Sequence, residues 1–196
     1  MPKTAYSYIV IAMADLMEAL RAGDESAFES VFQDYRKMVF KTAYLMTGSK
    51  EEAEDILQEV FVSVWRSRNT FNPKKGKLTT WIYRITVNQC LSRRRSRRPS
   101  LLSLEEKNID LPDTKPTKQP EEILVTRLEY EKLIKAMDAL DSKHRSVLVL
   151  RYFNDLSYDE IAKVTGVPLG TIKSRISQAM RSLRTQMSTQ QPEASA

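Results

Sequence analysis

The fold is decided by residues 157–178, which read SYDEIAKVTGVPLGTIKSRISQ. Two short helices that cross over a tight turn need a small residue where they touch, and Ala162 stands there. The turn needs a residue that tolerates a positive φ angle, and Gly166 follows four residues later. Ile172 then supplies a buried aliphatic side chain in the second helix. The other members of this small core are Ile161 and Val167. The spacing predicts a helix-turn-helix over about residues 158–177.

The second of these helices presents a polar face on the side away from Ile172 and Ile176. The N-terminal part of such a helix is the part that enters the major groove of DNA. The short polar and basic residues of this face, with no acid among them, are Gly170, Thr171, Lys173, Ser174, Arg175, Gln178 and Arg181. An ordinary helical hairpin is the alternative, but the three-point match and the acid-free face favour DNA binding.

The rest of the chain is also predicted to be helical, because glycine is scarce and helix-forming residues are common. Apolar residues recur at spacings of three and four between capping signals such as Ser49 with Glu52. Residues 99–120 break this pattern with four prolines and few large apolar side chains, so they are predicted to be a flexible linker. The sequence therefore predicts an all-α fold of two small helical domains joined by a flexible linker.

The boundaries follow from these breaks. The predicted units are an N-terminal extension (1–12), a first domain (13–98), the linker (99–120), a second domain (121–185) and a disordered tail (186–196). Met13 is a second candidate for the start of the protein.

Composition restricts the class of protein. The 196 residues carry a net charge of +6, and the pI is about 9.4. The basic residues concentrate in two acid-free segments, 74–98 and 163–184, which suggests two contacts with a polyanion.

The single cysteine, Cys90, excludes an internal disulfide and fits a reducing cytoplasm. No apolar run approaches the roughly 20 residues that cross a bilayer, and the short run near the N-terminus does not suit a signal peptide.

The basic segment near the end of the first domain contains aromatic residues. Single-stranded nucleic acid is bound by aromatic stacking surfaces beside phosphate contacts. Phe71, Trp81 and Tyr83 lie among lysines and arginines here, with Asn72 and Asn88. Trp81 taken alone is better explained as a core residue, whereas Phe71 lies in a loop and is expected to be exposed.

An acidic helix face is formed by Asp55, Gln58 and Glu59. A metal site is a poor explanation, because the one histidine, His144, belongs to the other domain. A basic partner surface is the better explanation for these carboxylates. His144 follows Asp141 at a predicted helix start and is expected to be structural. The sequence contains no phosphate-binding glycine loop and no catalytic set of His, Cys and Asp, so neither a cofactor nor an enzymatic activity is expected.

These segments together resemble the extracytoplasmic-function (ECF) group of the sigma-70 family, over nearly the whole chain outside the linker and tails. In the first domain the resemblance is carried by AEDILQEVFVSVW (53–65) and LTTWIYRITVN (78–88). In the second domain it is carried by LVLRYFNDLSYDEIA (148–162) and GTIKSR (170–175). Both pairs of motifs in this order form a specific pattern, whereas a helix-turn-helix alone would not.

The resemblance implies a promoter-reading subunit of RNA polymerase. It implies that the clamp helices of the largest subunit bind Asp55, Gln58, Glu59 and Val62, with a further contact to the polymerase flap. It implies that melted DNA at the −10 element is bound by Phe71, Asn72, Lys77, Thr79, Trp81, Arg84 and Asn88, and the upstream phosphates by Arg93, Arg94, Arg95, Arg97 and Arg98. It implies that the acid-free face of the second domain binds the −35 element. An anti-sigma factor is an expected partner.

Two other classes remain open at this point. A stand-alone helix-turn-helix regulator would need a sensor or dimer domain, and the first half of the chain shows no phospho-acceptor strand pattern. An enzyme acting on nucleic acid, such as a nuclease, would cleave DNA with a divalent metal and without polymerase.

Overall fold

The computed structural model of the chain describes residues 15–73, 75–96 and 132–189. For residues 94–96 and 189 it describes the backbone alone. The predicted N-terminal extension and linker lie outside the described residues, as do Arg97 and Arg98. The side chains of Arg94 and Arg95 lie outside them too.

The first domain consists of helices that pack around a shared apolar core. In its described part these are α1 (15–22), α2 (Glu25–Thr47), α3 (Lys50–Ser67), a 3₁₀ turn (Arg68–Thr70) and α4 (Leu78–Ser96). Asp24 caps α2 by accepting hydrogen bonds from the amides of Ser26 and Ala27. Gly48 ends α2 in the left-handed conformation, with a φ of 77°. Ser49 then caps α3 by accepting a hydrogen bond from the amide of Glu52, so the capping signal at Ser49 and Glu52 predicted this boundary correctly.

The second domain is helical as well. Its described elements are α5 (132–138), α6 (Ser142–Leu148), a π-helical turn (Val149–Phe153), α7 (Tyr158–Thr165) and α8 (Leu169–Thr189). Helix α8 continues past Leu183, where its buried apolar stripe ends. Hydrogen bonds from the Thr185 hydroxyl to the Arg181 carbonyl (3.2 Å) and from Ser188 to Arg184 (3.0 Å) accompany this last part. The buried apolar stripe marks only the packed part of a helix, so residues 186–189, which the sequence assigned to a disordered tail, lie within α8.

The helix-turn-helix has the predicted geometry. Ser157 and Glu160 form a reciprocal capping box at the start of α7. Gly166 ends α7 with a φ of 69°, and its amide donates to the carbonyl of Ala162 (2.9 Å). Ile172 of α8 is fully buried. These contacts confirm the motif that was inferred from spacing alone.

The two domains pack directly against each other, which the sequence did not predict. Helix α4 of the first domain contacts α7 of the second, and α2 contacts the π-helical turn. The fully buried Arg145 crosses this boundary, because its Nε donates to the Leu45 carbonyl at the end of α2 (2.6 Å). Lys41 donates to the carbonyl of Phe153 (2.8 Å) and Asn154 to the hydroxyl of Thr42 (3.0 Å). The buried apolar residues of both domains therefore form one cluster.

Within the described residues, no helix is both long enough and apolar enough to span a membrane.

Candidate nucleic-acid interface and the adjoining acidic groove

The recognition face of α8 is exposed and follows from the helical period. Thr171, Ser174 and Gln178 lie within about one quarter of the helix circumference at 100° per residue, and all three are exposed. Arg175 lies at one edge of this face and is half-buried, while Lys173 lies at the other edge. Gly170 and Arg181 are exposed as well. Each predicted −35 residue therefore reaches the surface of the same helix, on the sides away from its buried stripe.

One residue of this face has a partner that sequence analysis did not find. The Nε2 atom of His144, on α6, lies 3.1 Å from Oε1 of Gln178. The Nδ1 atom of the same ring lies 2.7 Å from Oδ2 of Asp141, the N-cap of α6. The cap was recognisable from the sequence, but the contact to α8 joins residues 34 positions apart. No periodic signal could have shown it.

The predicted −10 residues divide into an exposed and a buried group. Arg84 and Asn88, one turn apart on α4, are exposed, as is Asn72 in the preceding loop. Phe71 was expected to be exposed, and that prediction is wrong, because only 5% of it is accessible. Its ring centroid lies 5.5 Å from that of the half-buried Trp81, and its carbonyl accepts a hydrogen bond from Arg21. The aromatic pair thus belongs to the edge of the core in this arrangement.

The second domain contacts the start of α4. Lys77 lies 3.4 Å from the carboxylate of Glu160 in the capping box of α7. Hydrogen bonds from Ser157 hold the pKa of Glu160 below its usual value, with Lys77 as a smaller contribution. Burial raises the pKa of Tyr83 to about 12, and the carboxylate of Asp155 adds to this rise. Thr79 is half-buried, with its hydroxyl 3.4 Å from that of Tyr35.

The acidic face of α3 lines an open groove of about 590 Å³. Asp55, Gln58, Glu59 and Val62 are spaced three and four residues apart, which places them on one face of the helix. All four are exposed, and Val62 is a large apolar side chain that is 48% accessible. The remaining lining residues are Ser63, Arg66, Gln89 and Arg93. An exposed apolar residue about one turn beyond two carboxylates suits a protein partner with both basic and apolar side chains.

Arg93 belongs to this groove in the structure. Its Nη2 atom lies 3.0 Å from Oδ2 of Asp55 and 3.3 Å from Oε1 of Glu59. Nine residues separate Arg84 from Arg93, which turns the helix by about 180°. Arg93 and Arg84 therefore lie on opposite sides of α4. The sequence grouped Arg93 with the arginines that follow it, but its helical phase separates it from the exposed Arg84 and Asn88.

No group of three or more His, Cys, Asp or Glu side chains that could hold a metal occurs among the described residues. Cys90 is buried, and burial raises the pKa of its thiol to about 12.

Comparison with known proteins bears on both domains. The family model for Sigma-70 region 2 matches residues 31–99, and the model for Sigma-70, region 4 matches residues 136–185. The chain is 34% identical over 176 residues to the ECF RNA polymerase sigma factor RpoE of Cereibacter sphaeroides, which covers 88% of this chain and 93% of that protein. It is 29% identical over 177 residues to the ECF RNA polymerase sigma factor SigW of Bacillus subtilis, covering 87% and 94%.

Solved structures share the fold. The chain superposes on CnrH, solved with the cytosolic domain of CnrY, with a TM-score of 0.66 and 21% identity, covering 90% of this chain and 97% of that one. It superposes on RpoE of Bartonella quintana, solved with the anti-sigma factor NepR, with a TM-score of 0.63 and 20% identity, covering 84% and 98%. At these identities the likeness concerns the fold.

Proposed function

The chain belongs to the ECF sigma factors of the sigma-70 family, and we propose that three of its helices divide the work of promoter recognition. Helix α3 binds core RNA polymerase, α4 binds the opened −10 element, and α8 reads the −35 element. The observation that carries the proposal is the coexistence of the acidic groove of α3 with the exposed, acid-free recognition face of α8 in one chain. Bond formation stays with the polymerase, and the protein acts as a non-enzymatic subunit in the cytoplasm.

Docking uses charge and apolar contact together. Asp55 and Glu59 share the cation of Arg93 and are thereby held in a fixed arrangement before a partner arrives. Their side chains remain 60% and 47% accessible, so a basic partner can still reach them. The clamp helices of the polymerase largest subunit are the proposed partner, with Val62 as the apolar contact. This partner follows from the family, and the open groove is consistent with it.

Strand opening is assigned to α4 and the loop before it. Taking a base out of the duplex costs a few kcal/mol, and stacking on aromatic side chains offsets about 1–3 kcal/mol per base. Arg84 and Asn88 are exposed and available for phosphates and base edges. In this structure the two domains contact each other, an arrangement that we call closed. The Phe71–Trp81 pair is packed in the closed arrangement. Because α7 packs against α4, we propose that the two helices must separate before this part of α4 can bind the opened strand.

The two domains must separate for this function. Promoter elements at −10 and −35 lie about 25 base pairs apart, or roughly 85 Å at 3.4 Å per base pair. A compact chain of this length has a radius of gyration of about 16 Å. The 35 residues from 97 to 131 could extend to about 115 Å. The covalent connection therefore allows both elements to be bound at once, whereas the closed arrangement does not.

A run-off transcription assay with purified core polymerase and a genomic promoter library tests the proposal. Core plus this chain is expected to start transcripts at a discrete set of promoters on which core alone is silent. A stand-alone helix-turn-helix regulator would bind DNA without polymerase and start no transcript. That result, or DNA cleavage without polymerase, would replace the proposal. Co-purification from the native host tests the further expectation that an anti-sigma factor binds the free protein.

Arg175→Ala is expected to weaken −35 recognition by about 1–3 kcal/mol if the guanidinium makes a bidentate contact to a base. The half-buried position of Arg175 at the edge of the recognition face limits its freedom, which favours a fixed contact. The measurement is single-round transcription over all single-base variants of the −35 element. Arg184→Ala, which removes an exposed arginine farther along α8, is the control. Equal base preferences in the wild-type and Arg175→Ala proteins would remove Arg175 from the reading residues.

A further inference from the structure

We propose that His144 is a positioning residue for base reading: it binds one end of the Gln178 amide and so determines which −35 base Gln178 accepts. The inference rests on the proposed function, because it assumes that the exposed face of α8 reads DNA. It is carried by two side-chain hydrogen bonds in series, the first between Asp141 and His144 and the second between His144 and Gln178.

The hydrogen bond between Asp141 and His144 fixes the imidazole ring. Asp141 already accepts hydrogen bonds from the backbone amides of Lys143 and His144 through Oδ1, both at 2.9 Å. Its other oxygen, Oδ2, faces Nδ1 of His144 at 2.7 Å. An ionised carboxylate only accepts hydrogen bonds, so Nδ1 is the donor in this pair. The ring is thus oriented by a carboxylate that the helix N-terminus itself holds in place.

The second hydrogen bond reaches the recognition helix. Since Nδ1 is engaged with Asp141, Nε2 is the ring atom that faces Gln178, at 3.1 Å. The His144 side chain is 26% accessible, whereas Gln178 is exposed on the same face as Thr171 and Ser174. A glutamine amide offers a hydrogen-bond acceptor at one end and donors at the other. An Nε2 that carries a proton donates to the amide oxygen of Gln178, and an Nε2 without a proton accepts from the amide nitrogen once the amide has turned over. In both cases the other end of the amide stays available to DNA.

This contact has a consequence for base preference. A free glutamine recognises adenine with both ends of its amide, through N6 and N7 of the base. The contact with His144 occupies one of the hydrogen-bonding positions of the Gln178 amide and fixes the plane of that amide, so Gln178 cannot turn freely to place both of its ends on one adenine. The structure thus points away from bidentate adenine recognition at the position that Gln178 faces. The fixed side chain also loses less freedom on binding, which supports affinity for the base that is accepted.

The experiment measures −35 base preferences of the full chain with core polymerase on a library randomised in the −35 element. We expect His144→Ala to change the preference at one position only, toward adenine. The affinity for the best wild-type element should fall by about 2- to 12-fold, which corresponds to the freedom of one long side chain. Gln178→Ala should abolish the preference at that same position. The double variant His144→Ala/Gln178→Ala should then match Gln178→Ala, because His144 acts through Gln178.

A conservative variant separates positioning from a general effect on folding. His144→Gln keeps a polar group that can reach the Gln178 amide, and it is expected to restore most of the wild-type profile. Thermal melting of each variant shows whether the second domain remains folded. A purely structural role would lower activity on all −35 sequences alike.

The inference is overturned if His144→Ala leaves the preference at every position unchanged or shifts all positions uniformly. It is also overturned if Gln178→Ala keeps the wild-type profile, since Gln178 would then not be a reader. Either result is compatible with wild-type transcription from defined promoters. Failure of the sigma function itself would instead appear as the absence of transcripts with the wild-type chain.

Discussion

Asp55→Arg is expected to abolish retention of the chain by core RNA polymerase while leaving its fold intact. Asp55 lines the acidic groove and is 60% accessible. Removing one partner of a hydrogen-bonded charge pair that is buried on binding typically costs about 2–5 kcal/mol or more. The reversed charge adds repulsion toward a basic partner and toward Arg93, 3.0 Å away in the wild-type protein. Together these effects correspond to a loss of affinity of about 30-fold at the least.

The fold should tolerate this change, because an exposed ion pair contributes about 1 kcal/mol or less. Glu54→Arg is the matched control, since Glu54 is the neighbouring exposed carboxylate on α3 and does not line the groove. Both variants undergo the same change of charge, so a general electrostatic effect would appear in both. Gel filtration of each variant with core polymerase gives the bound fraction. Co-elution of Asp55→Arg at the wild-type level would show that the groove is not the docking face.

Local signals were enough to predict the helices and the helix-turn-helix. Gly166 and Ile172 were identified from spacing, and the φ of 69° at Gly166 and the full burial of Ile172 agree with that interpretation. Such features depend on residues within a few turns of one another. The all-α class and the recognition face of α8 follow from the same short-range rules. Features of this kind can be predicted from sequence because the helix fixes which side chains share a face.

Contacts between distant segments were not predictable in the same way. Arg145 looks like an ordinary surface arginine in the sequence, yet it is fully buried and bonded to a carbonyl 100 residues away. Phe71 was expected to be exposed because loops are usually solvated, but it is buried, with its ring against Trp81 and its carbonyl bonded to Arg21. Arg93 is a different case. Its helical phase relative to Arg84 was available from the sequence, but grouping by charge placed it with the arginines that follow it.

Arg145→Ala is expected to shift the protein from the closed arrangement toward separated domains. The Arg145 guanidinium donates to the Leu45 carbonyl of the first domain and pairs with Asp138 of its own domain. The Asp138 carboxylate in turn lies close to Gly48, where an added Cβ would approach it to 2.9 Å. A hydrogen bond from a charged group contributes about 1.5–3 kcal/mol. Its loss should raise the ratio of open to closed molecules by about 10- to 150-fold.

Distances between spin labels on the two domains give the measurement. Cysteines introduced at the exposed positions Gln33 on α2 and Arg184 on α8 carry the labels. The native Cys90 should stay unlabelled, because burial raises the pKa of its thiol to about 12. The wild-type chain is expected to give one narrow, short distance. Arg145→Ala should add a broad population at longer distances.

Two further variants separate domain opening from damage to the second domain. Lys41→Ala removes the hydrogen bond to the Phe153 carbonyl from the side of the first domain, and it should open the protein in the same direction. Arg151→Ala is the matched control, because Arg151 donates to the Leu156 carbonyl within the second domain (3.0 Å). It should leave the distance unchanged. Unchanged distances in both Arg145→Ala and Lys41→Ala would show that these contacts do not hold the domains together.

The same variants connect the closed arrangement to function. When the binding-competent form is a small fraction of the molecules, the apparent affinity falls by that fraction. The recognition face of α8 and the groove of α3 stay exposed in the closed arrangement, so partial binding at either site remains possible. Simultaneous binding of both promoter elements is not possible in the closed arrangement. Arg145→Ala should therefore increase transcription at limiting protein by up to the factor measured for opening, whereas a drop would indicate that the closed contacts also support the active form.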